Sequence, residues 1–338
     1  MDGRAAPRVL AGLVAALLIG GVFGALVVKP PPSLSPLHQD TAAAQASRSP
    51  AGVSALSAQR DVSAYRGLAA WVDAFDYAPA YHRLREGPLL VPEEVDAMAA
   101  RGVRTLFLQA ARLDARSPEG IVDRELVGRF VRRAHERGLR VVGWYLPKFA
   151  DLEADLAHLG LIRQFRFEGH RFDGVAVDIE FRSHVRDHAE RNRRLVELSR
   201  RLRSEAGSEA LGAIVYPPVL LEAIKPGYWP DFPWAQLAES FDVWLPMAYW
   251  TEIPTASGHR EGYRYGEDAV RGVRARLGDP DALVHLVGGV ADVSTIGDLA
   301  GLVRAARDSN AVGWSVYDYR TTSPSGWDVL QEASRSSP

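Results

Sequence analysis

Cysteine is absent from all 338 residues. Disulfides, thiolate nucleophiles and cysteine-ligated metals are therefore excluded, and the compartment stays open. A surplus of either charge is also missing, with 40 basic side chains against 42 acidic ones. The chain lacks the basic footprint that nucleic acid requires, so no nucleic-acid partner is expected. Lysine is scarce beside arginine, which reads as genomic bias rather than function. No glycine-rich phosphate turn follows the first strand pattern, which runs on into "FDYAPAYHR". That counts against a doubly wound dinucleotide fold. No cofactor is expected.

What is present begins with an uncharged apolar run, Val9 to Val28. At about 1.5 Å per residue it reaches roughly 30 Å, the thickness of a hydrocarbon core. Arg4 and Arg8 lie in the short segment 1–8 before it, which favours a cytoplasmic N-terminus. The run reads as an uncleaved transmembrane signal anchor over 9–28. A cleaved signal peptide is the alternative, but its apolar region usually covers only about 7–15 residues. Either way the remainder is expected outside the cytoplasm, tethered to the cell membrane or secreted. Segment 29–60 is rich in Pro, Ser and Ala and lacks aromatics, so it buries too little to fold and reads as a disordered stalk.

From Asp61 to Pro338 a different grammar takes over. Eight short β-branched or aromatic runs alternate with amphipathic ones: "GLAAWVDAFDY", "VRTLFLQAA", "LRVVGWYLP", "FDGVAVDIEF", "ALGAIVYPPV", "FDVWLPMAYW", "LVHLVGGVADV" and "AVGWSVYDYR". Runs such as "DRELVGRFVRRAHERG" carry helical spacing and end at glycine. This is the pattern of an α/β protein of the (β/α)8 TIM-barrel class, which needs about 250 residues. The long connections after the fifth and sixth strands are its least regular part.

A barrel of this kind places its site at the C-terminal strand ends. Strand one offers Trp71, Asp73, Phe75 and Tyr77 on one parity, with Asp76 beside them. Strand two ends with Gln109, strand three with Trp144 and Tyr145, and strand five with Tyr216. Strand six ends with Met247, Tyr249 and Trp250, and strand eight carries Trp314, Tyr317 and Asp318. Flat aromatics with a polar handle suit the apolar faces of sugar rings. Singly, each aromatic is also an ordinary core residue, and Asp73 could pair with an arginine.

Strand four is the exception to its own pattern. In "FDGVAVDIEF" the residues Asp178 and Glu180 share one face, opposite Val175, Val177 and Ile179. Two carboxylates on one face of a buried strand resist desolvation and repel each other. A structural ion network would account for them, and so would acid/base chemistry. On the second reading Glu180 lies nearer the mouth, its pKa raised by Asp178, and holds a proton for a leaving group. Asp178 sits deeper and orients or stabilises charge.

The same segment resembles the strand-four signature of family 18 glycoside hydrolases, D-G-x-D-x-D-x-E. Asp173, Gly174, Asp178 and Glu180 match it, and Ala176 stands where the middle acid would be. "MAYW", Met247 to Trp250, is similar to the family's strand-six M-x-Y-D, with Trp250 replacing the acid. Trp314 resembles the tryptophan that floors its sugar subsite. The resemblance implies substrate-assisted, retaining hydrolysis of a glycan with N-acetylated sugars. Glu180 would be the proton donor, Asp178 the acetamide partner and Tyr249 its helper. Ala176 and Trp250 depart from the pattern, so another amino-sugar glycan fits as well as chitin. The expected partner is a polysaccharide or oligosaccharide.

Two other classes remain open. One is a glycan-binding barrel without catalysis, which Glu180 argues against and Ala176 mildly favours. The other is a metal-dependent deacetylase or esterase using His184 and His188, spaced i and i+4 in "HVRDH", although no third ligand sits in frame.

Overall fold

The computed structural model describes residues 60–82 and 88–335. The expected anchor Val9–Val28 and almost all of the stalk lie outside the described residues. Among the described residues no helix is long and apolar enough to cross a membrane.

Eight parallel strands close on themselves in chain order. They are β1 (Gly67–Val72), β2 (Thr105–Gln109), β3 (Arg140–Tyr145), β4 (Gly174–Ile179), β5 (Leu211–Val215), β6 (Val243–Ala248), β7 (Leu283–Gly289) and β8 (Gly313–Tyr317). Nine helices of the described residues accompany them: α1 (Ala74–Tyr77), α2 (Glu94–Ala100), α3 (Arg124–Glu136), α4 (Leu152–Gln164), α5 (His188–Ala206), α6 (Trp234–Leu237), α7 (Gly262–Leu277), α8 (Ile296–Asp308) and α9 (Pro324–Arg335). The (β/α)8 barrel is therefore present in full. Its strands are buried on both faces, the inner against the barrel core and the outer against the helices.

Local chemistry starts the helices where the sequence suggests. Asp123, Asp151 and Asp187 each accept an amide three residues on, capping α3, α4 and α5. Thr295 and Asp298 form a reciprocal capping box on α8. Each such cap contributes about 1 kcal/mol. One expectation fails here. β1 stops at Val72, because Asp73 caps the single turn α1 with bonds to the amides of Phe75 and Asp76. Phe75 and Tyr77 thus leave the strand parity, and the Tyr77 hydroxyl donates to the Gln109 carbonyl while its ring meets Phe130 of α3.

The N-terminal end of the barrel is plugged by Tyr65, which is fully buried. Its hydroxyl donates to the Val175 carbonyl at 2.8 Å, with the Ala210 carbonyl at 3.2 Å. Gly174 and Gly212 make room for the ring, since a Cβ on either would fall 2.8 or 2.7 Å from it. Above the plug runs a polar thread. Trp71 Nε1 donates to Ser315 Oγ at 2.8 Å, Ser315 Oγ lies 2.9 Å from His285 Nε2, and His285 Nδ1 lies 2.8 Å from the Tyr65 carbonyl. Burial pushes the His285 imidazole down to about 4, so it is neutral. A neutral ring donating through Nδ1 and accepting through Nε2 satisfies every link.

Candidate active site

The inward parity at the mouth follows from the plug. Gly212 points at the Tyr65 plug and is the register partner of Ala176 on the neighbouring strand, with Ala176 Cβ 3.3 Å from a Cβ built on the glycine, so Ala176, Asp178 and Glu180 share the inward face. Asp178 is only 7% exposed, and its Oδ1 is buried with no hydrogen-bond partner. Burial first, then the Glu180 charge, holds the Asp178 carboxyl well above the usual carboxylate range. Glu180 stands one residue past β4 and is half-buried. Burial raises it from 4.5 to about 7, while Tyr216 and Arg182 pull the other way. No ion pair holds either acid among the described residues.

The pair is ringed by aromatics from neighbouring strands. The Tyr216 hydroxyl, just past β5, donates to Glu180 Oε2 at 3.4 Å and lies 3.3 Å from the Tyr228 hydroxyl. Tyr249, just past β6, feels Glu180, Asp178 and Asp318, in that order, and these charges add to burial in raising its phenol. Its ring lies 6.1 Å from that of Tyr317. Met247 shares the inward parity of Tyr249 and is buried beneath it. Trp71 stacks on Phe107 at 4.3 Å and meets Trp144 edge-on at 6.0 Å, forming an aromatic floor. Trp144 Nε1 is a second buried group without a partner.

A separate acidic group occupies the β8–β1 side. Among the described residues, Asp73, Asp76 and Asp318 are close enough to hold a cation, with oxygens within 4.8 Å of one another. Protein donors already serve them. Tyr317 donates to Asp73 at 2.6 Å, Thr321 to Asp318 at 2.9 Å, and Arg320 lies 3.6 Å from Asp76. Burial and the neighbouring Asp73 push Asp318 up to about 6 and Asp76 well above its usual range. Among the described residues, Asp73 thus pairs with a tyrosine and backbone amides, not with an arginine. Gln109 braces this side, its Oε1 accepting from the Ala74 amide and Arg112, both at 3.0 Å.

Three expected site residues point the other way. Tyr145 turns outward and donates to Asp155 of α4 at 2.6 Å while stacking on His158. Trp250 packs outside β7, where it and Leu302 of α8 occupy the space a Cβ on Gly288 would need. Trp314 also faces out, donating to the Leu330 carbonyl of α9 at 3.3 Å. The histidine pair does not share a helical face either. α5 begins at His188, while His184 lies in the preceding loop against Phe181.

Residues missed by strand-end reasoning sit in the connections after β4 and β5. Arg182 lies over the Tyr228 ring, 3.5 Å from its centroid, and Trp229 packs under Arg191. The run "GYWPDF" in an irregular connection was the available signal. Loop residues carry no period from which a direction could be read.

No protein-family model matches the chain, and no curated protein matches it. Solved structures do. The endo-β-1,4-mannanase of Thermotoga petrophila superposes with a TM-score of 0.60 at 12% identity, over 81% of this chain and 77% of the mannanase. A class V chitinase from Pseudomonas fluorescens Pf-5 gives 0.54 at 12% identity, over 79% and 99%. The GH18 chitinase of Cycas revoluta in complex with (GlcNAc)3 gives 0.56 at 12% identity, over 79% and 99%. At these identities the likeness is one of fold: the chain has the barrel of these polysaccharide hydrolases.

Proposed function

We propose that the chain is a glycoside hydrolase in which Glu180 protonates the leaving oxygen of a polysaccharide with N-acetylated sugars. The observation that carries this reading is the pairing of two inward carboxyls at one strand end, raised by burial and joined to no ion pair among the described residues. A carboxyl at about 7 holds its proton near neutrality and releases it readily, as a general acid requires. The barrel likeness to chitinases and a mannanase supports the substrate class.

The nucleophile then has to come from elsewhere. Asp178 and Glu180 are i and i+2 on one strand, so they approach a substrate from the same side. Conventional schemes flank the scissile bond with two carboxyls. β7 ends in Gly288 and Gly289 and offers none. An N-acetyl oxygen of the substrate fills that role in substrate-assisted hydrolysis, and Asp178 with Tyr249 would orient the acetamide. With Ala176 beneath it, Asp178 has no carboxylate to turn towards, so it serves from one position. The apolar run Val9–Val28 would hold this barrel outside the cytoplasm.

Full-length protein should release reducing ends from N-acetylglucosamine oligomers with retained anomeric configuration, followed by NMR. Glu180→Gln should remove turnover while glycan binding persists. Binding without turnover in the unaltered chain would instead mark a lectin, and equal rates on de-N-acetylated oligomers would defeat the substrate-assisted route.

A further inference from the structure

We propose that Arg182 recognises an anionic substituent, a carboxylate or a phosphate, on a sugar bound beside Glu180. The proposal deepens the glycosidase reading above and rests on it.

Arg182 is two residues beyond Glu180 and half-buried. Its guanidinium is fixed twice by one residue. Nη1 donates to the Tyr228 carbonyl at 3.0 Å, and Cζ lies 3.5 Å above the centre of the Tyr228 ring. Tyr228 in turn reaches Glu180 through Tyr216. The cation is thereby tied into the same constellation as the acid. Its Nε–Nη2 edge has no protein acceptor, and no ion pair joins it to a carboxylate among the described residues. That edge presents two parallel N–H groups, the fork that binds carboxylate or phosphate in bidentate fashion.

The surroundings add positive charge instead of neutralising it. Lys225 Nζ lies 5.8 Å from the Tyr228 ring centre. Arg191 is 4% exposed, and its Nη1 donates to the carbonyls of Val185 and Arg186. Its Nε has no partner, and the Arg182 charge lowers its pKa further. The nearby acids that these groups feel are Glu180, which Arg182 pulls down, and Asp187, which supports Arg191. Elsewhere on the barrel, some half-buried arginines meet carboxylates, as Arg163 meets Glu205 and Glu209 and Arg203 meets Asp242, while Arg274 has all three of its nitrogens on carbonyls and leaves no open edge. A preorganised guanidinium that carries no carboxylate is costly to keep. Arg182 also opposes the proton affinity that Glu180 needs, so proton donation does not explain its placement. An acidic sugar does.

The test uses full-length Glu180→Gln, which keeps ligands intact, and titration calorimetry with matched oligosaccharides. Three acidic probes separate the sources: a uronate-containing oligomer, an amino-sugar oligomer bearing lactyl-ether carboxylates, and a phosphorylated amino-sugar oligomer. The neutral partners are the carbodiimide-amidated and dephosphorylated forms. At least one acidic probe should bind about tenfold or more tightly than its neutral form, as a charge-assisted bidentate contact allows. Adding Arg182→Gln should bring that ratio to about one, and Arg182→Lys should restore part of it. Equal affinity for every acidic and neutral pair overturns the proposal without any need for the arginine variants. A preference that survives Arg182→Gln overturns it too. If the unaltered chain cleaves neutral oligomers as fast as acidic ones, the glycosidase reading stands and this one falls. If it binds and cleaves nothing, both fall.

Discussion

At the closed end of the barrel, Tyr65, His285, Ser315 and Trp71 form one unbroken thread of hydrogen bonds. At the mouth, on the next levels of the same strands, Asp178 keeps a buried oxygen with no partner and Trp144 a buried N–H with none. The closed end is not perfect, since the Thr105 hydroxyl also lacks a partner there. The contrast in charge is sharper. Below, burial neutralises a histidine whose two nitrogens are both engaged. Above, burial raises two carboxyls that point into the barrel mouth. Buried polar groups that are paired hold a fold together, and those left unpaired cost stability. Such groups persist where a ligand or a reaction completes them.

That division can be broken from either end. The largest effect belongs to the mouth. Glu180→Gln should lower kcat by about 10²–10⁴-fold, the share a general acid contributes, with the melting temperature undiminished. Next comes the plug. Tyr65→Ala should cost about 3–5 kcal/mol in denaturant unfolding, as truncation of a large buried aromatic does, while activity per folded molecule is retained. A loss of kcat without loss of stability in that variant would erase the distinction. Gly212→Ala probes the same plug from the other side. A new Cβ 2.7 Å from Tyr65 and 2.9 Å from Leu245 overpacks the core, for a cost of about 1–3 kcal/mol.

The pH dependence separates the two ends without altering the fold. Glu180 has its folded value raised from 4.5 to about 7, so the folded state binds more protons than the unfolded chain between those values. Its contribution is therefore least unfavourable below about pH 4.5, and stability falls as pH rises towards 7. Glu180→Gln should be more stable than the parent chain at pH 8, by about 3 kcal/mol at most. Turnover should decline above about pH 7 as the acid loses its proton. The smallest effect is expected from Tyr216→Phe. Losing its 3.4 Å hydrogen bond lets Glu180 hold its proton more tightly, so the alkaline limb of the rate profile moves up. The change in kcat should stay under about tenfold, the worth of one modest hydrogen bond. A limb that moves down would reverse the assigned roles.

Much of this was legible in the sequence, and the misses share a cause. Trp144 and Tyr145 are consecutive, so one had to face inward and the other outward. Both faces of a parallel barrel strand are apolar, and alternation alone carries no sign. Tyr145, Trp250 and Trp314 were all assigned to the wrong face for that reason. β4 escaped the ambiguity because its acids mark one parity as the inward face at the mouth. Phe75 and Tyr77 left the expected parity for another reason, since an aspartate can end a strand by capping the next turn and Asp73 here does so.

Alternation of strand and helix patterns and capping residues settled the barrel, and the two acids at the end of β4 marked the level of the candidate site. These are local signals, written in neighbours along the chain. Tertiary structure alone decided which of two buried faces points inward, that Glu180 is buried enough for its carboxyl to be raised, and that Arg182 reaches Tyr228, 46 residues away. Each of those depends on distances between segments far apart in sequence, and no periodicity encodes them.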